Sequence, residues 1–262
     1  MKLKEVLCAL ERFAPLPLQE SWDNSGLQIG LTEAEEVSGA LLCLDVTEEI
    51  IDEALQRGMN LVISHHPLLF HGLKQITADD PVQRAVIKAV RGGVAVISMH
   101  TNLDNACHGV NWEIARRLGL NDVSFFAPKC AGDVEGGSGV IGSLAQPMAA
   151  AAFVAHVKTA MEAPVAQCNQ LLNRPVGKVA VCGGAGDFLL PQAIEAGADA
   201  FITGEMHYHV YQGHDQEIQV VVIGHYESEH FTAHLLQAHL AQALPTLSTA
   251  LSATMHNPIT YL

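Results

Sequence analysis

The sequence predicts an α/β fold made of two related, interwoven βαβ-type lobes with mostly parallel sheets in three layers. Three observations predict it. Short, wholly apolar runs alternate with segments of helical period, the pattern of a parallel sheet with crossover helices. One strand–helix–glycine–strand pattern occurs twice along the chain. Polar residues able to do chemistry cluster where the apolar runs end, at the carboxyl ends that form the ligand crevice of such sheets.

The first lobe opens on a helix over residues 3–13, where Leu3, Val6, Leu7, Leu10 and Phe13 repeat at helical spacing. Trp22-Asp23-Asn24-Ser25-Gly26 is turn chemistry, and Leu27–Ile29 a short strand after it. Gly39–Leu44 reads as a buried strand. Thr47 is placed to cap a helix from Glu48 to Arg57 that turns Ile50, Ile51, Ala54 and Leu55 inward and closes on Gly58. Asn60–Ser64 is the next strand and runs into His65-His66-Pro67. A helix over Val82–Val90 leads to a third strand, Val94–Ser98, and to His100-Thr101-Asn102-Leu103-Asp104.

Residues 129–147 change character. Ala131–Gly142 is rich in Gly and Ser without helical period and reads as a link or hairpin. After a helix over Met148–Met161 the first pattern returns. Lys178–Cys182 is a strand, Asp187–Ala196 a helix closed by Gly197, Ala200–Thr203 a strand, and Val220–Ile223 a last strand before Gly224-His225. The expected divisions are a lobe over 1–128, a connection over 129–147 and a second lobe over 148–262.

Composition narrows the function. The 262 residues are 49% hydrophobic and 16% charged, which excludes a disordered tail protein and allows a full core. Fourteen Lys and Arg against 28 Asp and Glu give a net charge of −14, so phosphate backbones and anionic lipid are repelled. No apolar run approaches the roughly 20 residues of a membrane span. The start, Met1-Lys2-Leu3-Lys4-Glu5, lacks the pattern of a secretory signal. Six cysteines stand singly without a C-x-x-C pair, which fits a reducing, cytoplasmic setting. Histidine is in excess: 14, as many as Lys and Arg together.

His65-His66 is the sharpest candidate for metal. Adjacent side chains on extended backbone diverge, so the two imidazoles suit two ions better than one; the bland reading is a solvated pair in a loop. If a helix starts at Gly224, His225 and Glu229 stand one turn apart on one face, and a carboxylate there can bridge cations. The alternative is a surface contact at a helix start, and Glu227 would face elsewhere. Asp104 offers a hard oxygen ligand, although Asp in such a loop is often a turn or cap residue. His100 either orients a ligand or is a satisfied core histidine. Glu205 ends the strand that matches the His65-His66 strand. Cys182-Gly183-Gly184-Ala185-Gly186 suits a tight turn better than an anion cradle, since it lacks the P-loop lysine. His207 and His209 share a face if extended; a surface role is the simpler reading.

Read in order, Trp22–Gly30, Ser64–Phe70, His100–Asp104, Cys182–Gly186, Ile202–Glu205 and Gly224–Glu229 resemble the motifs of the YbgI-like, or NGG-interacting-factor-like, proteins, known as GTP cyclohydrolase 1 type 2 homologues. The resemblance runs over essentially the whole chain and is to the short form of the family. It implies a toroidal homohexamer with two divalent metal ions per subunit, held by His65, His66, Asp104, His225 and a bridging Glu229. Imidazole and carboxylate donors without thiolate suit zinc, manganese, iron or nickel. The activity so implied is metal-dependent hydrolysis of a small molecule, with GTP ring opening as the inherited name. The rival expectation is a non-catalytic oligomeric adaptor or metal-trafficking protein, since no separate general base is evident. Neither membrane nor nucleic acid is an expected partner.

Overall fold

The computed structural model describes residues 1–30 and 35–262. The chain forms two compact units, each built from two stretches. The first holds Met1–Leu103 and Phe231–Asn257, the second Asp104–His230 and Pro258–Leu262.

The chain enters through α1 (Leu3–Phe13), β1 (Gly26–Ile29), β2 (Ala40–Cys43), α2 (Glu48–Gln56), β3 (Leu61–Ser64), α3 (Pro81–Gly92), β4 (Ala95–Ser98) and a single turn, α4 (Thr101–Asp104). The second unit follows with α5 (Val110–Arg117), β5 (Leu120–Ala131), β6 (Val134–Met148), α6 (Ala150–Ala160), β7 (Gln167–Cys168) and β8 (Val176–Cys182). It continues with α7 (Leu190–Glu195), β9 (Ala200–Thr203), β10 (Gln219–Val222) and α8 (His225–Glu229). The chain then returns to the first unit with α9 (Thr232–Ala243) and β11 (Thr249–Leu251).

In the first unit the sheet order is β1-β4-β3-β2-β11. β2, β3, β4 and β11 are parallel, and β1 joins the edge antiparallel to β4. All residues of β2, β3 and β4 are buried, as expected of parallel strands covered on both faces. On one side Leu41, Cys43, Val62 and Val96 pack with Ile50, Ile51 and Ala54 of α2 and Ala85, Val86 and Ala89 of α3. α9 lies against β2 and β11, and α1 against α9. Thr47 caps α2 as expected, accepting the Ile50 N–H at 3.4 Å, and Asp80 does the same for α3 through Gln83. Leu55 departs from expectation. It is 39% exposed, because it lies one helical step beyond the inward stripe, whereas the polar Glu53 is buried.

In the second unit the order is β5-β6-β8-β9-β10-β7. β8, β9 and β10 are parallel, like β2, β3 and β4; β5, β6 and β7 add antiparallel pairings, so this sheet is mixed. Ala180, Cys182, Phe201, Val220 and Val222 pack with Leu189, Leu190 and Ala193. The two βαβ patterns differ after their second strand: α3 bridges β3 to β4, whereas only a short 3-10 turn, Tyr208–Tyr211, separates β9 from β10.

The unit limits differ from the expected 1–128, 129–147 and 148–262. Residues 231–257 rejoin the first unit because Thr249–Leu251 pairs in parallel with Ala40–Leu42. Local periodicity shows a helix and a strand there but not which sheet edge the strand joins. The Gly-rich stretch is a hairpin, β5 turning at Gly132 into β6, and β6 then pairs with β8. It is therefore a structural part of the second sheet.

The return is fastened at Glu53. Its carboxylate accepts the Ser252 hydroxyl at 2.6 Å and the backbone N–H groups of Ala253 and Thr254, and it pairs with Arg57 at 2.7 Å. Burial alone would raise its pKa, but these donors together hold it at about 2 against 4.5 for a free glutamate. A folded pKa below the unfolded one contributes stability that is complete above about pH 4.5 and is lost as the pH falls toward 2. Glu53→Gln is expected to cost roughly 2 kcal/mol near neutral pH and less in acid, because it removes a charged acceptor of several hydrogen bonds. Denaturant titrations of both proteins at pH 7 and pH 3 measure this; an equal difference at the two pH values would contradict it.

Candidate metal centre

His65 and His66 sit where β3 ends. The backbone is held there by N–H groups of His65 and His66 bonding to Cys43 O and Leu44 O, at 3.3 and 2.9 Å. Two buried serines at the ends of neighbouring strands, Ser64 and Ser98, both donate to His66 O, at 2.7 and 3.2 Å. The loop is therefore fixed before any ligand arrives. The His65 and His66 rings are 5.0 Å apart and tilted by 43°. His100 joins them from the end of β4, with centroids 5.3 and 5.5 Å from those of His65 and His66. One ligating atom from each of His65, His66 and His100 lies within 4.8 Å of the others.

The tautomers follow from the partners. His65 Nδ1 lies 2.7 Å from Met99 O. A carbonyl only accepts, so Nδ1 carries the hydrogen and Nε2 keeps its lone pair. His66 Nδ1 lies 2.7 Å from Asp45 Oδ1, and His100 Nδ1 lies 2.7 Å from Asp23 Oδ1. Asp23 is itself held by the Thr101 N–H at 3.1 Å and hydroxyl at 2.5 Å. Its carboxyl lies well below the usual range: burial pushes it up, and the His100 and Thr101 hydrogen bonds outweigh that. An acceptor on Nδ1–H orients an imidazole so that Nε2 is the nitrogen a metal could use.

In the second unit His225 and Glu229 lie one turn apart on α8, with Nε2 and Oε2 separated by 3.0 Å. Two metal–ligand bonds of about 2.1 Å can span that separation. His225 Nδ1 is anchored on Glu205 Oε1 at 2.9 Å. Glu205 thus orients His225. Close backbone approach makes room for these groups. A Cβ on Gly184, whose φ is +59°, would stand 2.5 Å from Glu229 Oε1. One on Gly204 would stand 2.6 Å from Ser228 Oγ and 2.7 Å from Gly184 O. Only glycine lets these two segments close on α8 in this way. The N–H groups of Gly183, Gly184 and Gly186 bond to Asn111, Ser228 and Thr203. The glycine turn is therefore packing, and its donors are spent inside the unit.

Asp104 lies at the end of α4, and its carbonyl accepts from Asn111 at 3.0 Å. Glu227 faces away from the His225–Glu229 side: it is buried and accepts the Tyr261 hydroxyl at 3.2 Å. His207 and His209 do not share an extended face, because the chain coils into the Tyr208–Tyr211 turn. His207 is mostly exposed, and its Nδ1 bonds to Asp187 Oδ2 at 2.5 Å, which raises its pKa. A cleft of about 440 Å³ in the second unit is lined by Asp187, Glu205, His207, His225 and Tyr261 among others. Asp23 and Asp45 were missed from sequence. Asp45 carries a readable signal, since it follows a parallel strand; Asp23 looks like any turn residue.

Fold and side chains define an α/β protein carrying histidine and carboxylate groups able to hold a divalent metal. Comparison with known proteins makes the assignment specific. The sequence model of Duf34/NIF3 (NGG1p interacting factor 3) matches residues 1–258, and the chain belongs to that family. It is 33% identical over 230 residues to the GTP cyclohydrolase 1 type 2 homolog of Clostridium perfringens, covering 87% of each chain. It is 32% identical over 242 residues to the protein of the same name from Campylobacter jejuni, covering 92% of each. It superposes on the crystal structure of a Bacillus cereus protein related to NIF3 with a TM-score of 0.89 at 25% identity, over 100% of this chain and 99% of that one. Among the described residues no helix is long and apolar enough to cross a membrane.

Removing an anchor while keeping the ligand should weaken metal binding about 10- to 100-fold. Asp45→Ala and Glu205→Ala are the variants, and competition against a chromogenic chelator is the measurement. Wild-type affinity in both would refute the anchoring role.

Proposed function

We propose that this protein is a divalent-metal-dependent hydrolase of a small molecule, of the GTP cyclohydrolase kind for which its relatives are named. The residues that would hold the metal are His65, His66, Asp104, His225 and Glu229, a donor set large enough for two ions. The observation that carries the reading is the shared orientation of His65, His66 and His225. In each, Nδ1 is held by an acceptor, so Nε2 is the ring nitrogen oriented for a metal. Donors of imidazole and carboxylate type suit zinc, manganese, iron or nickel.

Ions bound there would supply Lewis acidity and a water acidic enough to react near neutral pH. The protein does the rest. His65 and His66 hold their lone pairs on a loop that does not need to reorganise. Glu205 and Asp45 keep two of the ligand rings in register. His100 is the proton acceptor. Its Nδ1 is held on Asp23 Oδ1, so the carboxylate fixes the ring and Nε2 is the nitrogen placed to take the proton.

His65→Ala/His66→Ala is expected to lose tightly bound metal, whereas His100→Ala keeps it; elemental analysis of stripped and reloaded protein measures both. Full occupancy of the double variant rejects this ligand set. Silence of the metal-loaded protein toward nucleotides, phosphoesters and pterin precursors would reject the hydrolase.

We further propose that the protein works as a homohexameric ring, as its family resemblance implies. Light scattering should then give six times the 28.0 kDa chain mass. A monomer at micromolar concentration would refute the ring.

A further inference from the structure

Beside the histidines of the first unit stand two large aromatic side chains that the metal chemistry does not use. Trp22 is 59% exposed and Phe70 39% exposed. Their rings are 6.0 Å apart at 69°, and each meets the His100 ring nearly edge-on, at 6.3 Å for Trp22 and 6.1 Å for Phe70. His100 in turn meets His65, which is fully buried. A continuous series of rings thus leads from solvent at Trp22 to the base of the histidine group.

Exposed aromatic rings are common on protein surfaces, but these are held in place. Trp22 belongs to the loop whose next residue, Asp23, is tied to His100 and Thr101. Asn24 Nδ2 donates to Leu69 O at 2.7 Å, and the Leu69 N–H donates to Gln28 Oε1 at 3.1 Å. Gln28 Nε2 closes the network on Asn24 O at 2.6 Å. Trp22 is thereby fastened to His100, and Phe70 to the Trp22 loop. Holding large apolar faces open to water costs free energy unless something covers them. A rigid aromatic pair at the mouth of a polar site is what a planar ring stacks on, because aromatic faces pair without needing sequence-specific hydrogen bonds.

We propose that Trp22 and Phe70 form a stacking platform for a planar heteroaromatic ligand, a purine or a related fused ring, and so set the substrate class of the site. The rings, rather than a cationic clamp, are what these segments offer. The ligand's heterocycle, not a phosphate, is therefore the recognised part, as suits a chain of net charge −14. This inference rests on the metal reading above only for what lies at the end of the platform.

The test uses the full-length, metal-loaded protein in a Trp112→Phe background, in which emission belongs to Trp22. Guanosine is the probe and ribose the ringless control. Guanosine should quench Trp22 emission saturably and ribose should not. Phe70→Ala should weaken guanosine binding about tenfold, and so should Trp22→Ala measured by calorimetry. Metal content should be unchanged in both variants. Absence of quenching, equal binding of ribose, or wild-type affinity in both variants would overturn the platform. So would Trp22 being shielded from acrylamide in the assembled protein, since a second copy would then cover it. Elemental analysis of the same samples separates the two readings. Quenching without metal leaves the platform standing and removes the metal centre; metal without quenching does the reverse.

Discussion

The constraint on which the site depends is the pairing of each imidazole Nδ1 with a fixed acceptor. A histidine at the end of a strand can rotate or exchange tautomers, and either takes its lone pair away from a ligand. Met99 O, Asp45, Asp23 and Glu205 prevent that for His65, His66, His100 and His225. The order of causes matters. Parallel strands set the ends side by side, the ends supply the acceptors, and the acceptors set the chemistry of the rings.

The spacing of these pairs has a simple origin. Asp45 follows β2 and His66 follows β3, the next parallel strand, 21 residues on. Glu205 follows β9 and His225 follows β10, again neighbours, 20 residues apart. A crossover between adjacent parallel strands uses about that much chain, so a carboxylate and a histidine with this separation meet whenever both fall just past a strand. Asp23 and His100 reach the same result through the antiparallel edge, since β1 begins beside the point where β4 ends.

This explains what was legible from sequence and what was not. The strands of the βαβ patterns, the α2 cap and the His225–Glu229 spacing are local patterns, and the structure shows each of them. The Asp45–His66 pair was readable in principle, because strand neighbours can be guessed from alternation. The Asp23–His100 contact spans 77 residues and an antiparallel edge that no periodicity announces. The return of 231–257 to the first sheet depends on a three-residue strand and on the buried acceptor Glu53, whose sequence neighbourhood looks like any acidic helix. Leu55 failed for a smaller reason: a helical stripe fixes direction only to within one 100° step, and the edge of the stripe is decided by what packs there.

The doubled βαβ pattern gives this device a further reading. In the first unit β2 and β3 carry Asp45 and His66; in the second, β8 and β9 stand in the same relation and carry Asp187 and His207, 20 residues apart and bonded in the same way through Nδ1. An anchored pair therefore follows the matching strands in both units, two residues past β2 and β3 in the first but five and four past β8 and β9 in the second. What differs is the surroundings. His66 adjoins His65 and His100, whereas His207 stands in an open cleft with most of its ring exposed. An anchor alone makes an oriented imidazole. It joins a cluster of imidazoles only where the next residue and the next strand supply further rings, as His65 and His100 do in the first unit from the ends of β3 and β4. The repeated strand pattern thus supplies the geometry for one ring, and the residues gathered around that ring decide its surroundings.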